Sequence, residues 1–343
     1  MQMDRSLPRP EMRTLTINVD IETEEGRAKK RLVWRVFLLA AAAIFACSLV
    51  PHSYSSAADY IVRTAEPSTT ASQPQTSSPA FSNVFLILEE NHSFKDVVGN
   101  TDEMPYLNGL IRKHAVATQY FANAHPSLPN YLWLTTGSGD GVTSNICGIT
   151  VTSDNMVRAM VESGVSWKAY EESLPSRGYL SCSSGQYVER HDPFAYLGDV
   201  QNNSAQLRKI VPFSEFATDL ANGTLPRFSF ITPNLQHDAH DGSLSQADAW
   251  LKNNFQKLLE SPMFQSGGSG LLIITFDEGT EDDNSHGGGR IPWIAIGPRV
   301  KPGFQSATFH QHQSTLRLIL SGLGVSNLPG AAATAPDMTE FFR

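Results

Sequence analysis

The chain has 343 residues, of which 41% are hydrophobic and 17% are charged. That length allows one large domain or two small ones, each with a buried core. The formal net charge is −8, and residues 1–57 hold 8 of the 26 basic and 6 of the 34 acidic residues, so the main body is more acidic than the whole. An acidic body without a dense Lys/Arg face excludes a nucleic-acid binder.

The N-terminal part has its own organisation. Residues 1–31 are predicted to be a polar, disordered tail that ends in the basic stretch RAKKR. Residues 32–50 contain the apolar run VFLLAAAAIFACSLV of 15 residues, short for a membrane span unless Leu32 to Trp34 extend it. Basic residues before such a run place the N-terminus in the cytoplasm and the rest of the chain outside. We therefore expect a membrane anchor at 32–50.

The hydrophobic core of a cleaved signal peptide is the alternative for residues 32–50, with SSAAD as the cleavage site. The anchor is favoured because an N-terminal extension of about 30 residues is long for a signal peptide. Residues 51–80 are rich in Ser, Thr, Ala and Pro and are predicted to be a flexible linker. The folded body is then residues 81–343, outside the cytoplasm, and secreted if the segment is cleaved.

Two cysteines, Cys147 and Cys182, follow the apolar run. An even pair in an oxidising compartment is expected to form a disulfide. A bridge across a loop of this length stabilises the fold by about 3–4 kcal/mol in the chain-entropy model. Two unpaired buried thiols are the alternative.

Five segments are predicted to be strands. Each is a mostly apolar run bounded by turn residues, which is typical of strands covered on both faces of a parallel sheet. They are VFLIL (84–88), GVSWKAYEE (164–172), RFSFITPN (227–234), GLLIITFDEG (270–279) and IPWIAIGP (291–298).

Helical patterns lie between these strands. They are DNMVRAMVESG (154–164) with an Asp cap, FSEFATDLANG (213–223) with Ser214 as its cap, and SQADAWLKNNFQKLLESPMF (245–264) with one apolar face. Alternating strands and helices predict an α/β fold with right-handed crossovers. In such folds, functional residues gather at the carboxyl ends of the strands.

Oxygen-bearing side chains directly follow two of the predicted strands. Glu90 and Asn91 follow the first, and Asp277 and Glu278 end the fourth. Buried carboxylates are costly unless their charge is compensated, so we expect these side chains to surround a cation. Oxygen donors suit Mg²⁺, Ca²⁺ or Mn²⁺, and an added histidine would favour Zn²⁺. Solvent exposure in a loop is the alternative for each pair.

Ser127 is a candidate nucleophile. It precedes the pattern LPNYLWLTTG, which is typical of a short helix ended by Gly137. A hydroxyl at a helix N-terminus lies near free N–H groups and the positive end of the helix dipole, which favours an alkoxide and an incoming anion. Serine is also a preferred N-cap residue, so a structural role is the alternative.

Five motifs occur in the order found in the bacterial phosphoesterase family, which the chain resembles. The motifs are LEENHSF, HPSLPNY, ITPNLQHDAHD, TFDEG and HGGGRIPWIAIGP. This family includes acid phosphatases and phospholipase C enzymes and belongs to the alkaline phosphatase superfamily. The resemblance implies an alkaline-phosphatase-like α/β/α sandwich with a mostly parallel central sheet. PSLPNYLWLTTG is also similar to the nucleophile segment of nucleotide pyrophosphatase/phosphodiesterases, and that alignment falls on Ser127.

The resemblance implies a divalent metal site and a nucleophile. Ser127 would be the nucleophile and would bind the same ion as the other ligands. Those ligands would be Glu90, Asn91, Asp277 and Glu278. Some relatives have two aspartates where this chain has Asp277 and Glu278, so the geometry of that pair differs from theirs.

The resemblance also implies a pocket around the phosphate. Asn145 would donate to a non-bridging phosphate oxygen, and Asp238 would orient one of the histidines that line the pocket. Those histidines would be His125, His240 and His286. His191 and His312 lie in family-typical segments, where structural hydrogen bonding is expected.

The implied reaction is hydrolysis of phosphate monoesters, as in an acid phosphatase. It would proceed through a phosphoserine that water hydrolyses, with a histidine as general acid. A phospholipase C-type phosphodiesterase is one alternative, and a metal-stabilised surface binding protein without turnover is another. The expected partners are a small phosphate ester or phospholipid head group and the membrane, but no nucleic acid.

Overall fold

A twisted sheet of eight strands forms the centre of the computed structural model, which describes residues 80–343. The predicted tail, membrane segment and linker therefore lie outside the described residues, apart from Ala80. Over the described range, no helix has the length and apolar character that crossing a membrane requires.

The described range contains short strands, helices and 3₁₀ turns. The strands are β1 (Asn83–Glu89), β2 (Ala115–Ala117), β3 (Tyr120–Phe121), β4 (Trp167–Glu171), β5 (Ser183–Ser184), β6 (Tyr187–Val188), β7 (Ile210–Pro212), β8 (Phe228–Thr232), β9 (Gly270–Phe276), β10 (Trp293–Ile296), β11 (Gln305–Ser306) and β12 (His310–Gln311). The helices are α1 (Phe94–Val97), α2 (Pro105–Lys113), α3 (Ser127–Thr136), α4 (Met156–Glu162), α5 (Gly198–Gln201), α6 (Ser204–Leu207), α7 (Ser214–Asn222), α8 (Leu244–Glu260) and α9 (His312–Gly322). The 3₁₀ helices are Glu189–His191, Pro193–Tyr196, Pro262–Phe264, Ser285–Gly287, Gly330–Ala333 and Thr339–Phe341.

The sheet has the order β11-β2-β10-β9-β1-β8-β4-β7. Strands β9, β1, β8, β4 and β7 are parallel to one another. Successive residues of β1, β8 and β9 point to opposite faces, yet nearly all are buried, so helices cover both faces. The predicted α/β fold with a mostly parallel central sheet is confirmed.

Strand β10 departs from the predicted parallel arrangement, because it runs antiparallel to both β9 and β2. A parallel neighbour requires a crossover connection, usually with a helix, whereas antiparallel strands can be joined by a loop. Between β9 and β10 the chain contains only the 3₁₀ turn Ser285–Gly287. The connection is therefore a loop that stays at the carboxyl end of β9.

The predicted helices are present, but their caps differ from the predictions. Asn155, and not Asp154, caps α4 by accepting the backbone N–H of Arg158 at 3.0 Å. Phe213 occupies the N-cap position of α7, so Ser214 is its first helical residue. The apolar periodicity located the helices, whereas the cap depends on which neighbouring side chain can turn back toward the backbone.

Helix α3 is held at its C-terminal end by a backbone contact with the 3₁₀ turn Gly330–Ala333. Gly137 has φ 69° and Gly330 has φ 52°. A Cβ atom at Gly137 would lie 2.5 Å from the carbonyl oxygen of Pro329, and one at Gly330 would lie 2.5 Å from that of Thr136. Only glycine allows this approach at both positions.

Cys147 and Cys182 form a disulfide, as predicted. The bridge links the segment after α3 to the segment before β5, and the two cysteines are separated by 35 positions in the sequence. The loop that carries Asn145 is therefore covalently tied to the body of the domain.

Candidate active site

Strand register brings two acidic residues together at the carboxyl edge of the sheet. The last register pair of the parallel strands β1 and β9 is Glu89 with Phe276, so Glu90 and Asp277 are the next residues on each strand. The backbone N–H of Asp277 donates to the carbonyl of Glu89 at 2.9 Å, which extends the ladder by one step. Neighbouring strands therefore place these two carboxyl groups side by side.

Glu90 is fully buried and has polar contacts on both oxygens. The Tyr131 hydroxyl donates to its Oε1 at 2.6 Å, and the Ser127 hydroxyl donates to its Oε2 at 3.3 Å. The Nε2 atom of His191 lies 3.2 Å from Oε1. Burial, and then the charge of Asp277, raises the pKa of Glu90. A nearby positive charge would stabilise the ionised form.

Asn91 turns the chain away from β1 with φ 53°, in the left-handed region that asparagine tolerates. Its backbone N–H donates to Oδ1 of Asp277 at 3.1 Å. The other oxygen, Oδ2, is buried and has no hydrogen-bond partner. Burial, and then the charge of Glu278, raises the pKa of Asp277. Both carboxylate oxygens of Glu89, one residue before Glu90, are likewise buried without a hydrogen-bond partner, so compensation is missing at more than one point along this edge.

Ser127 is the first residue of α3, and Pro126 occupies the N-cap position. The Ser127 hydroxyl is directed at Oε2 of Glu90, at 3.3 Å, and lies 3.5 Å from Oε1 of Glu278. Pro126, and not Ser127, is the N-cap residue, so the N-cap role considered for this serine is not observed. The hydroxyl is buried between two carboxyl groups, a position that the helix alone does not require.

His125 is held with hydrogen-bond acceptors at both ring nitrogens. Its Nδ1 lies 2.8 Å from Oε2 of Glu278, and its Nε2 lies 3.1 Å from the carbonyl oxygen of Asp283. A carbonyl and a carboxylate both accept, so each nitrogen carries a proton in this arrangement. The hydrogen bond to Glu278 is the main cause that raises the pKa of His125 to about 9.

Asp238 and His240 are related differently from the prediction. Oδ1 of Asp238 accepts the backbone N–H of His240 at 2.8 Å, while the His240 ring pairs through Nδ1 with Oδ1 of Asp241 at 2.8 Å. The imidazole that Asp238 approaches is that of His191, with 3.3 Å between Oδ2 and Nδ1. The expectation that Asp238 orients His125, His240 or His286 is therefore corrected, because its side chain faces inward from a turn.

His286 lies on the surface, outside the buried cluster. Its exposed ring packs against Phe121 and Phe309, with centroid distances of 4.3 and 4.8 Å. Its φ of 55° places it at the turn between β9 and β10. The ring of His286 does not contact the buried carboxyl groups. The predicted position of His286 in the pocket is therefore not observed.

Asn145 lies at the N-terminal end of α3. Its Oδ1 accepts the backbone N–H of Leu128 at 3.0 Å, and the residue is otherwise exposed. This contact satisfies one of the free N–H groups of the helix. It leaves the side-chain NH₂ group of Asn145 as a donor beside Ser127.

Several residues that support the site were not predicted. Tyr131 follows Ser127 by four positions, so one helix face carries both contacts to Glu90. Asn130 is fully buried and accepts the backbone N–H groups of residues 123 and 124, both at 3.0 Å. The i, i+4 spacing could have identified Tyr131, whereas the loop contacts of Asn130 depend on the tertiary fold.

His312 has the structural role expected for it. Its Nε2 donates to the carbonyl oxygen of Asp277 at 2.7 Å, and burial lowers the pKa of His312 to about 4. A neutral ring at the start of α9 therefore supports the backbone at the end of β9. His191, in contrast, contacts the carboxyl groups themselves.

The donor set has the oxygen chemistry that a hard divalent cation prefers, although the carboxylate oxygens of Glu90, Asp277 and Glu278 do not all lie within 4.8 Å of one another. Glu90, Asp277 and Glu278 supply buried carboxyl groups at this edge, and Asn91 directly follows Glu90. The unpartnered Oδ2 of Asp277 is the observation that favours a cation, because a buried carboxylate oxygen without a partner is costly. Over residues 80–343, one group of three acidic, histidine or cysteine side chains has all its ligand atoms within 4.8 Å of one another. This group is Cys147, Cys182 and Glu189. Both sulfurs there are in the disulfide, so that cluster offers no alternative site.

A buried serine and buried carboxyl groups thus lie together at the carboxyl edge of this α/β sheet. The chain belongs to the Phosphoesterase family, whose model matches residues 100–326. It is a phosphoric ester hydrolase, as predicted. Glu90 and Asn91 precede the matched range.

Two relatives named as phosphatases are similar to the chain. A phosphatidylinositol-3-phosphatase of Mycobacterium tuberculosis is 32% identical over 265 residues, which cover 77% of this chain and 84% of that protein. A probable acid phosphatase of Kluyveromyces lactis is 30% identical over 249 residues, or 69% of this chain and 57% of that protein.

The similarity of the chain to one solved structure supports the fold and nothing further. The phosphonate monoester hydrolase of Agrobacterium radiobacter superimposes with a TM-score of 0.50 at 14% identity, covering 76% of this chain and 77% of the other.

Proposed function

We propose that the protein hydrolyses phosphate monoesters through a phosphoserine at Ser127, with a divalent metal ion at the carboxyl edge of the sheet. The observation that carries the proposal is the Ser127 hydroxyl, which is buried between Glu90 and Glu278 and does not cap its helix. The ion would be held by Glu90, Asn91, Asp277, Glu278 and Ser127. Its identity among Mg²⁺, Ca²⁺, Mn²⁺ and Zn²⁺ is open.

A divalent ion supplies positive charge that lowers the pKa of a nearby hydroxyl and polarises a phosphate oxygen. Ser127 Oγ, its proton released to water, attacks phosphorus. The bond to the leaving oxygen breaks, the leaving oxygen takes a proton from the general acid, and the phosphoryl group is transferred to the serine. Water then attacks the phosphoserine, releasing inorganic phosphate and restoring the hydroxyl. Asn145 donates its NH₂ group to a non-bridging oxygen, since its carbonyl oxygen is already engaged by Leu128.

We assign the role of general acid to His125. Both of its ring nitrogens face acceptor oxygens, so it holds a proton on each, and one of these two hydrogen bonds must break before that proton is donated to a leaving oxygen. His125 shares Glu278 with Ser127, which places the two residues on either side of one carboxyl group. Protonation of the leaving oxygen by such a group typically contributes 10²–10⁴-fold to the rate.

Monoesters are proposed over diesters because the two relatives described above are named as phosphatases. A phosphodiesterase of phospholipase C type is the second candidate, since the same serine and metal site can act on a diester. Family membership favours an enzyme over the surface binding protein considered above.

Removal of metal is expected to abolish turnover of p-nitrophenyl phosphate, and a divalent ion should restore it. Asp277→Asn should weaken metal binding at least about tenfold in calorimetry, because it removes a charged oxygen. Asp282→Asn, in the exposed part of the following loop, should bind metal as the wild type does. Full activity in exhaustively chelated, metal-free protein would contradict the proposal.

Ser127→Ala is expected to lower turnover by roughly three orders of magnitude or more, while changing the free energy of unfolding by less than about 2 kcal/mol. Ser214→Ala is the matched control, because Ser214 is also the first residue of a helix. Acid quench of wild-type protein with a ³²P-labelled phosphoester should leave label on the peptide that contains Ser127. A folded Ser127→Ala protein with near wild-type turnover would exclude the phosphoserine.

His125→Asn is expected to reduce hydrolysis of an alkyl phosphate by roughly 10²–10⁴-fold, and of p-nitrophenyl phosphate much less. A p-nitrophenolate leaving group needs little protonation, whereas an alkoxide needs it. His114→Asn, outside the site, should affect both substrates equally and slightly. An equal large loss on both substrates with His125→Asn would show that the residue acts on Glu278 and not as the acid.

We also propose that the domain lies outside the cytoplasm, tethered by residues 32–50 or released after their cleavage. The disulfide supports this, because such bridges persist in oxidising compartments. In cells that express the full chain, the protein should fractionate with membranes or the medium, and its intact mass should increase by two protons on reduction. Two alkylatable thiols at Cys147 and Cys182 in the native protein would argue against export.

A further inference from the structure

The Asn145 loop, residues 143–148, is exposed over most of its length and has few contacts of its own. The backbone N–H of Ile146 donates to the carbonyl oxygen of Ser144 at 2.9 Å, so Asn145 is the middle residue of a tight turn. Within residues 80–343, the one hydrogen bond of the Asn145 side chain is with the backbone N–H of Leu128. Exposed loops are the more mobile parts of a fold, so the position of the Asn145 NH₂ group depends on what holds the residues that follow it.

Two buried side chains hold the loop directly after Asn145. The hydroxyl of Tyr196 donates to the carbonyl oxygen of Ile146 at 3.0 Å. The backbone N–H of Gly148 donates to Oε2 of Glu189 at 3.2 Å. Tyr196 is 0% exposed and Glu189 is 4% exposed, so both hold the loop from the body of the domain. The backbone is therefore fixed at the first and the third residue after Asn145.

The disulfide lies between these two contacts, but it does not fix the loop by itself. It joins Cys147 to Cys182, and Cys182 belongs to a second exposed segment. A bridge between two exposed segments limits the distance between them and leaves both free to move together. Glu189 removes that freedom, because its backbone N–H donates to the carbonyl oxygen of Cys182 at 3.0 Å while its side chain accepts the N–H of Gly148. One residue thus holds both ends of the bridge.

The segment that contains Glu189 and Tyr196 is itself joined to the carboxyl cluster. His191 lies in the same 3₁₀ helix as Glu189, and its Nε2 lies 3.2 Å from Oε1 of Glu90. Tyr196 ends the next 3₁₀ helix along the chain. The segment therefore contacts the cluster on one side and the Asn145 loop on the other.

We infer that Tyr196 and Glu189 are positioning residues, which set the affinity of the site for phosphate by fixing the Asn145 loop at the N-terminal end of α3. The inference rests on the proposed contact between Asn145 and a non-bridging oxygen of the substrate. Neither side chain touches the substrate, and each acts through the backbone on one side of the disulfide. Loss of either contact displaces Asn145 and leaves Ser127 and His125 in place, because those two residues belong to a different segment.

The test is a double-mutant cycle, read out by the dissociation constant of inorganic phosphate in calorimetry on the full chain saturated with Mn²⁺. Asn145→Ala should raise this constant by about 10-fold or more, because a hydrogen bond to a charged group is lost. Tyr196→Phe should raise it by roughly 3- to 10-fold and raise the KM for p-nitrophenyl phosphate in parallel, with a smaller change in kcat. In the Asn145→Ala background, Tyr196→Phe should change the constant by less than about twofold, because no side chain remains there to be displaced.

The melting temperature separates this role from a purely structural one. Tyr196→Phe should lower the melting temperature equally with and without Asn145, since the bond to Ile146 contributes to the fold in both backgrounds. Tyr170→Phe is the matched control, because Tyr170 is also 0% exposed and its hydroxyl donates to Oδ2 of Asp219 on α7 at 2.7 Å. The control should lower the melting temperature and leave phosphate binding unchanged.

Glu189→Gln and Glu189→Ala provide an independent comparison, which decides should Tyr196→Phe fail to fold. Glu189→Gln keeps an oxygen that accepts the N–H of Gly148, so it should bind phosphate within about twofold of the wild type. Glu189→Ala removes the acceptor and should weaken phosphate binding as Tyr196→Phe does.

The inference would be overturned by unchanged phosphate binding in both Tyr196→Phe and Glu189→Ala, or by an equal rise in the constant with Tyr196→Phe in the two backgrounds. An unchanged constant in Asn145→Ala would also overturn it, by removing the phosphate contact on which it rests. Failure of the proposed hydrolysis is distinguishable, because calorimetry measures phosphate binding whether or not the protein turns over p-nitrophenyl phosphate.

Discussion

Three carboxyl groups are buried together at the carboxyl edge of the sheet, where they repel one another. The arrangement of the surrounding residues depends on this repulsion. Glu90 and Asp277 are neighbours because β1 and β9 are parallel and in register, and Glu278 follows directly. Removing an unpaired carboxylate from water costs several kcal/mol, and three together cost more. Burial accordingly raises the pKa of Glu90 and of Asp277. The cluster is stable only with donors, protons or a cation around it.

Helix α3 and the loop before it supply most of that compensation from the chain itself. Ser127 and Tyr131 donate to Glu90 from one helix face, and His125 donates to Glu278. Asn130 fixes the loop that carries His125 through backbone hydrogen bonds. The proposed nucleophile, the proposed proton donor and the hydroxyl that donates to Glu90 therefore belong to one short segment, whose position relative to the sheet places all three at the carboxyl cluster.

Much of the fold could be predicted from local pattern. Long apolar runs identified β1 and β9, and the residues that follow them were recognised as site residues because strand ends share an edge. The direction of β10 was not predicted, since an apolar run has the same pattern in either orientation and only the helix-free connection decides it. The N-cap of α3 was missed for a similar reason: serine fits both the cap and the first helical position.

The site was predictable where residues are adjacent in sequence and unpredictable where they meet through the fold. The pairs Glu90–Asn91 and Asp277–Glu278 are examples of the first kind. Asp238 faces His191, some 47 positions earlier, and Arg190 meets His240 across 50 positions, so neither contact leaves a local pattern. The position of His286 depends on Phe121 and Phe309, which pack against its ring from distant parts of the sequence.

The glycine contact at the far end of α3 has a mechanical consequence. Backbone touches backbone there, and the N–H of Ala331 donates to the carbonyl of Gly137 at 2.9 Å. Helix α3 is thus held at its C-terminal end by the 3₁₀ turn Gly330–Ala333 and carries Ser127 at its N-terminal end. A methyl group at Gly330 would displace the end of α3 that contacts this glycine. Because a helix transmits such a shift along its axis, Ser127 would move as well. The 3₁₀ turn Gly330–Ala333 therefore helps to fix the position of Ser127, which lies at the opposite end of this ten-residue helix.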